Sequence, residues 1–486
     1  MRTRTILYLA LLVLLIGGLL GPPLFRPASA QKKGDEDQPK MSESAARQIE
    51  SLLNEKKSRT PQQKKVDSQL LYAAKQRRGQ AVTNEARTLE TDVKIDKAGH
   101  TLVDIRADVT KEITRLIEEA GGQVIYSSWR DGRLRASVPL DAVEWLAGSK
   151  DVKFIEPAVE ARTHRPDKAG APETGPGGAA VSPAEVNPKL RSSRRSDFAG
   201  RAARVQAQLA KSLPAAAFAK GATTLQDATT NVGSVTSQGD IAHRARDARN
   251  FFGATGAGIK IGVLSDGVAA LPQLVASGDL PPDVTVLPGQ AGGGSEGTAM
   301  LEIIHDLAPS AKLFFATAFI SDASFADNIR RLRFEYGCDI IVDDIIYFNE
   351  SPFQDGIIAQ AVNDVTADGA LFFSSAGNEG NFNDGTSGTW EGDFQDGGPL
   401  PTLPAASGYT VHDFGDGNIS NRIEILSVPT LFHWSDPLGG SANDYDLYLL
   451  NANLSAVIAA STRIQDGDDD PFERINTAAT GARLVI

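Results

Sequence analysis

Gly256-Ala257-Gly258-Ile259-Lys260-Ile261-Gly262-Val263-Leu264-Ser265-Asp266-Gly267 decides the fold. A glycine turn opens a short apolar run, and the run ends on one carboxylate ahead of another glycine. Apolar on both faces, the run predicts a strand over 259–265 buried inside a parallel sheet. The same texture recurs downstream: strands are expected over 312–318, 339–345 and 370–375, with helices between them over 297–307, 323–336 and 355–367. Near-continuous apolar strands alternating with helices predict an α/β core spanning 233–380, with its sheet covered on both faces. Right-handed crossovers then bring the carboxyl ends of the strands to one edge, where open α/β sheets place their chemistry.

Upstream, the pattern over 101–160 reads strand (101–107), helix (110–120), strand (123–128), strand (133–138), helix (140–147), strand (152–156). This is the split βαβ order of a small α+β domain. Val124, Tyr126 and Trp129 alternate with polar neighbours, and Asp131-Gly132 supplies the hairpin turn. Residues 31–100 are polar, charged and poor in aromatics, which predicts a loose or helical lead segment, with order beginning near Thr101. Residues 161–232 are rich in Ala, Pro, Gly, Ser and Arg and read as a linker, with Arg194-Arg195 as a candidate processing site. After Asn378 the composition turns to Gly, Asp and Asn with strand-like runs over 421–428 and 445–450, so 381–486 reads as an all-β insertion or sandwich.

The chain has 486 residues, 41% of them hydrophobic, enough for two or three cores. Its formal net charge of -12 argues against a nucleic-acid binder. A lone cysteine, Cys338, excludes an intramolecular disulfide and reads as a small buried residue. At the amino terminus Arg2 and Arg4 precede an apolar run over 7–20 and then Ala28-Ser29-Ala30. That is the pattern of an export signal over 1–30, which predicts a secreted protein, extracellular or periplasmic, with no stable membrane span after cleavage.

Three segments carry a resemblance. Asp266 ends the first core strand. Glu296-Gly297-Thr298-Ala299-Met300 opens a helix that is followed by Ala308-Pro309-Ser310-Ala311-Lys312-Leu313. Ser374-Ser375-Ala376-Gly377-Asn378 closes a strand on an amide. Together they resemble the subtilisin-like serine peptidases, with a glutamate where that family carries histidine. The resemblance implies hydrolysis of a protein or peptide substrate through an acyl-enzyme, with no cofactor required for the chemistry. It assigns Asp266 as the orienting aspartate, Glu296 as the base and Asn378 as the oxyanion donor. It also makes 101–160 similar to the family's inhibitory, fold-assisting propeptide, so that the chain's own propeptide becomes a partner. The sedolisins, which share the fold, use a glutamate in this role; here Met300 replaces their second acid and Asp266 is kept. A carboxylate base, with a reference pKa of about 4.3, implies an optimum below neutral pH.

Met300, Ile303, Ile304 and Leu307 repeat at helical spacing and are expected to face the sheet. His305 lies nine residues beyond Glu296, about 13 Å down the helix at 1.5 Å per residue, which disfavours it as the base and leaves it a hydrogen-bonded histidine. No Gly-Thr-Ser-x-Ala-x-Pro motif occurs before Ile486, so the resemblance implies an incomplete core whose nucleophilic serine lies outside this chain. Gly385-Thr386-Ser387 shares three letters, but Gly388-Thr389-Trp390 follows. Asp343 and Asp344 read as a strand end. In the β-rich part, Trp434, Asp436, Asn443, Asp444, Tyr445 and Asp446 resemble the sandwich domains of secreted bacterial peptidases. Asp436, Asp444 and Asp446 are candidate ligands for a structural Ca²⁺. The acidic run 466–470 reads as a solvated loop. A rival reading is a non-hydrolytic protein of the same fold that acts as a secreted or cell-surface binding module.

Overall fold

A computed structural model of the chain describes residues 39–163 and 233–486, except 92, 379, 382, 385, 401, 403–407, 425–428 and 478. The expected export signal and most of the linker, including Arg194-Arg195, lie outside the described residues.

The described part of the lead segment carries helices well before Thr101. Ser42 Oγ accepts from Ala45 N–H at 3.1 Å and starts the helix Glu43–Lys57. Thr60 and Gln63 form a reciprocal capping box on Pro61–Lys64, and Asp67 caps Ser68–Arg77. Ala45, Ala46, Ile49, Leu52 and Leu53 form the buried stripe of the first helix. They share one core with Leu400, Tyr448, Leu450, Leu454 and Val457 from the far end of the chain. Of the loose or helical alternatives the helical one holds, and order begins earlier than Thr101 because the surface that packs these helices lies some four hundred residues away.

The small α+β unit has strands β1 (His100–Ala107), β2 (Gln123–Ser128), β3 (Arg133–Pro139) and β4 (Val152–Pro157), in the antiparallel order β2-β3-β1-β4. Ile113 and Ile117 of the helix Lys111–Glu119 are buried in a core with Val103, Ile105, Leu134, Val138 and Ile155. Trp129 does not continue the alternation; it is 80% exposed beside the turn. A two-residue strand, β5 (Arg162–Thr163), follows.

The α/β core contains β6 (Lys260–Ser265), β7 (Thr285–Val286), β8 (Lys312–Thr317), β9 (Ile340–Asp343), β10 (Ile345–Ile346) and β11 (Leu371–Ser374). Five of these form a wholly parallel sheet in the order β11-β9-β6-β8-β7, with β6 at its centre. Side chains of β6 alternate between two cores, Val263 on one face and Leu264 on the other, so both faces are covered. Gly262 lets the helix Asp322–Phe334 come close: a Cβ there would sit 2.9 Å from Leu332 Cδ1 and 3.2 Å from Cys338 Sγ. Cys338 is buried, and burial pushes its thiol pKa up to about 12, so it behaves as a small apolar residue.

Two expectations need correction. The run over 339–345 breaks at Asp344 into β9 and β10, and β10 leaves the parallel sheet to pair antiparallel with β5. In the helix Glu296–Leu307 the buried face is set by Gly297, Thr298 and Leu301, with Met300 and Ile304 packed beside them, whereas Ile303 is 48% exposed. Leu301 was outside the expected stripe because a helix with apolar residues on most of its circumference gives an ambiguous face.

The β region has β12 (Asn421–Arg422), β13 (Thr430–His433), β14 (Leu447–Leu450), β15 (Val457–Ser461), β16 (Phe472–Ile475) and β17 (Arg483–Val485), arranged as sheets β12-β17-β14-β15 and β13-β16. Strand β14 is buried on both faces: Tyr448 and Leu450 meet the lead helices, while Leu447 and Leu449 meet Ala459 and Ile475. Among the described residues no helix is long and apolar enough to cross a membrane. The corrected helix face is testable by urea denaturation: Leu301→Ala is expected to destabilise by about 2–5 kcal/mol, and Ile303→Ala by less than about 1 kcal/mol.

Candidate active site at the carboxyl edge of the sheet

Strands β6, β9 and β11 are parallel and in register, with Leu264 opposite Asp343 and Asp343 opposite Ser374, so their carboxyl ends share one rim. Asp266 follows β6 directly and is buried. Its Oδ1 accepts from the backbone N–H of Glu296 at 2.9 Å and of Gly297 at 3.3 Å. Asp266 thereby caps the helix Glu296–Leu307, where the Ser295 side chain makes no cap bond. A carboxylate at this position is stabilised by unpaired backbone donors and the positive end of the helix dipole. The glycines around it are steric requirements: a Cβ on Gly294 would collide with the Asp266 carboxylate, one on Gly292 with the Asp266 carbonyl, and one on Gly297 with the Phe315 ring.

Asp266 and Glu296 are therefore brought together, and Glu296 is partly buried at the first helical position. Asn378 lies beyond the end of β11 at the same end of the sheet, exposed, with β9 between its strand and β6. His305 sits in the last turn of the helix, so it stays apart from Asp266. Its Nδ1 is buried without a hydrogen-bond partner, contrary to expectation, and burial lowers its pKa.

Sequence reasoning undervalued Asp343. It is buried, and its Oδ1 accepts from Ile345 N–H at 3.1 Å and from Ser374 Oγ at 2.9 Å, tying the end of β9 to β10 and β11. The available signal was an acid closing an apolar strand beside the Asp266 strand. Next to it the chain lays its own segment on the rim: Thr163 pairs with Ile345 and Arg162 with Ile346, antiparallel. The Arg162 guanidinium lies 5.5 Å from the Phe348 ring centre. The small α+β unit is seated alongside. Tyr126 OH donates to Asp327 Oδ2 at 2.8 Å, Arg330 pairs with Asp131 at 3.2 Å, and Arg135 Nη1 donates to the Ile320 carbonyl at 2.7 Å. The Arg135 guanidinium is held in place by donating to Asp104 Oδ1 at 2.7 Å and Oδ2 at 2.6 Å.

A cavity of about 240 Å³ opens where this unit, the α/β core and the β region meet, lined by Arg133, Asp322, Asn349, Glu350, His433 and Arg463 among others. Burial, reinforced by Asp322, pushes the Glu350 pKa up to about 7.

The candidate Ca²⁺ ligands do not converge. Asp436 accepts from Ser441 Oγ and from Asn443, whereas Asp444 and Asp446 share the Lys56 ammonium, each at 2.7 Å. A lysine from the lead segment occupies the place the cation was expected to fill. Among the described residues, the acids whose ligand oxygens lie within 4.8 Å of one another are Asp466, Asp468 and Asp469 in the run read as a solvated loop. Burial pushes the Asp469 pKa up to about 7 against the pull of Arg106.

No protein-family model matches the chain, and no curated protein matches it significantly.

Gly294→Ala is expected to displace the Asp266 carboxylate and to destabilise by about 2 kcal/mol or more, read from the urea midpoint. Beneath Lys56, burial pushes the Glu473 pKa from 4.5 up to about 8. Between those values the native state keeps a proton that the unfolded chain has released, so stability falls as pH rises from about 4.5 to about 8 and then levels. Glu473→Gln should flatten that slope in a series of denaturation midpoints against pH.

Proposed function

We propose that the chain is the precursor of a secreted, subtilisin-like serine-type endopeptidase whose amino-terminal unit, residues 39–163, lies across its own substrate edge. The observation that carries this reading is the antiparallel pairing of β5 with β10 at the rim that holds Asp266 and Glu296. A peptide substrate would add to β10 by main-chain hydrogen bonds in the manner of β5. Its scissile carbonyl would then lie between the acid pair and the Asn378 amide.

In this scheme Glu296 takes the proton from a serine hydroxyl as that oxygen attacks the carbonyl carbon. The Asn378 amide donates to the oxyanion as the tetrahedral adduct forms. Collapse of the adduct breaks the peptide bond, the leaving amine takes the proton back from Glu296, and water later releases the acyl group by the reverse sequence. Asp266 contributes by fixing the helix start that carries Glu296. The chemistry as proposed uses no cofactor. The family's serine motif does not occur within residues 1–486, so the reading requires a hydroxyl delivered to this rim from elsewhere.

The test uses the complete gene product, with a fluorophosphonate probe and quenched peptides over pH 3–9. Labelling and turnover are expected, with the rate maximum below pH 7. Glu296→Gln should lower kcat by about 10²-fold or more, and Asn378→Ala by about 10²–10³-fold. A product that neither labels nor cleaves would overturn the reading in favour of a binding module.

A further inference from the structure

The amino-terminal unit has a second grip, away from the substrate edge. Ser42 N–H donates to the Leu454 carbonyl at 3.0 Å and Val457 N–H to Gln48 Oε1 at 2.8 Å, so the helix Glu43–Lys57 lies along the β region. Its apolar stripe covers Tyr448, Leu450, Leu454, Val457 and Val485. At its carboxyl end the buried Lys56 ammonium bonds Asp444 and Asp446, and Arg59 donates to the Thr462 carbonyl at 2.6 Å and to Thr462 Oγ1 at 2.8 Å. The complementarity also runs the other way. Arg463 of the β region is buried against two acids of the amino-terminal unit, Asp67 at 2.7 Å and Glu156 at 2.9 Å. Cations of each partner thus meet anions of the other across an apolar contact, the arrangement that fixes register and rejects other partners. At the α/β core the strand pairing amounts to two residue pairs, supplemented by the contacts of Tyr126, Asp131 and Arg135 with Asp327, Arg330 and the Ile320 carbonyl.

We propose that this face of the β region is a helix-binding site, with Lys56 as its anchor, that retains residues 39–163 on the molecule after the chain is cut between Thr163 and Gly233. The occupant is the chain's own unit. The inference rests on reading residues 39–163 as removable. It adds that departure from the rim is slowed from the β region, on top of the unit's contacts with the α/β core.

The experiment places a cleavage site for an unrelated protease within 164–232 of the full chain, cuts there, and times the loss of the amino-terminal unit by size-exclusion chromatography after dilution. No peptidase activity of the protein enters the readout, so failure of the peptidase reading and failure of this one give different results. The wild-type unit is expected to co-elute with residues 233–486. Lys56→Met should speed its departure at least tenfold, and Lys56→Arg, which keeps the charge, should restore retention. Asp446→Asn should act in the same direction, and adding it to Lys56→Met should cost less than the sum of the two, because both remove one interaction. A wild-type unit that leaves at once would overturn the proposal. So would a Lys56→Met unit that leaves at the wild-type rate, or strict additivity of the two substitutions.

Discussion

The hydrogen bonds from the first two backbone N–H groups of the helix Glu296–Leu307 to Asp266 Oδ1 set the geometry of everything near the sheet edge. A strand that ends on a carboxylate and a helix that begins with unpaired donors satisfy each other directly, with no intervening side-chain cap. The contact requires the backbone of the intervening loop to pass within van der Waals reach of the carboxylate, which is why Gly292 and Gly294 carry no side chains. It also leaves the Glu296 side chain at the rim, because the first residue of a helix capped by the preceding strand cannot lie far from that strand's end.

How far this was legible in the sequence depends on where the information sits. Most of the parallel core was readable because its strands are apolar on both faces; the three helices expected there start and stop within two residues of expectation, whereas the short edge strand β7 and the helices Gln238–Ala242, Ala245–Phe252 and Leu271–Ser277 carry too little periodic signal to be expected. That Asp266 meets the helix start at Glu296 was readable for the same local reason, a strand end followed by a glycine-rich helix start, although the contact is made by backbone N–H groups rather than by the Glu296 side chain. The face of that helix was not. Met300, Leu301, Ile303, Ile304 and Leu307 surround most of its circumference, and only packing against Phe315 and Leu313 selects Leu301. The start of order near Thr101 was set too late because five apolar residues on a polar helix carry little local signal, and the strand β14 that packs against them lies near the other end of the chain.

The acidic residues of the β region show the same limit from the opposite side. Asp444 and Asp446 were read as metal ligands because oxygen-rich spacing resembles a cation site, and a cation does lie between them, supplied by Lys56. Burial alone would pull that ammonium toward its neutral form, yet the two carboxylates outweigh the burial and raise its pKa above the ordinary lysine value. Such buried pairs add little net stability compared with apolar packing, but breaking one leaves an uncompensated charge, so they act mainly on which surface is accepted. The acidic pocket thus selects a partner whose identity no local pattern in 436–446 could reveal.

Two of the contacts that hold the amino-terminal unit, the β5 pairing and the lead helices, differ in kind, and the difference bears on how a precursor of the proposed kind would work. Pairing of Arg162 and Thr163 with β10 uses main-chain hydrogen bonds, each worth about 0.5–1.5 kcal/mol net in water, and any extended peptide can replace them. A contact so easily replaced suits a substrate edge, but it is a poor lock when a competing peptide is present. The lead helices supply what the strand lacks: an extended apolar stripe and charge pairs excluded from solvent on both sides. Because one continuous unit carries both grips, the weak strand stays near its site at high effective concentration as long as the helices remain seated. On the proposed reading, specific recognition in the β region would thereby help to keep the strand pairing at β10 in place.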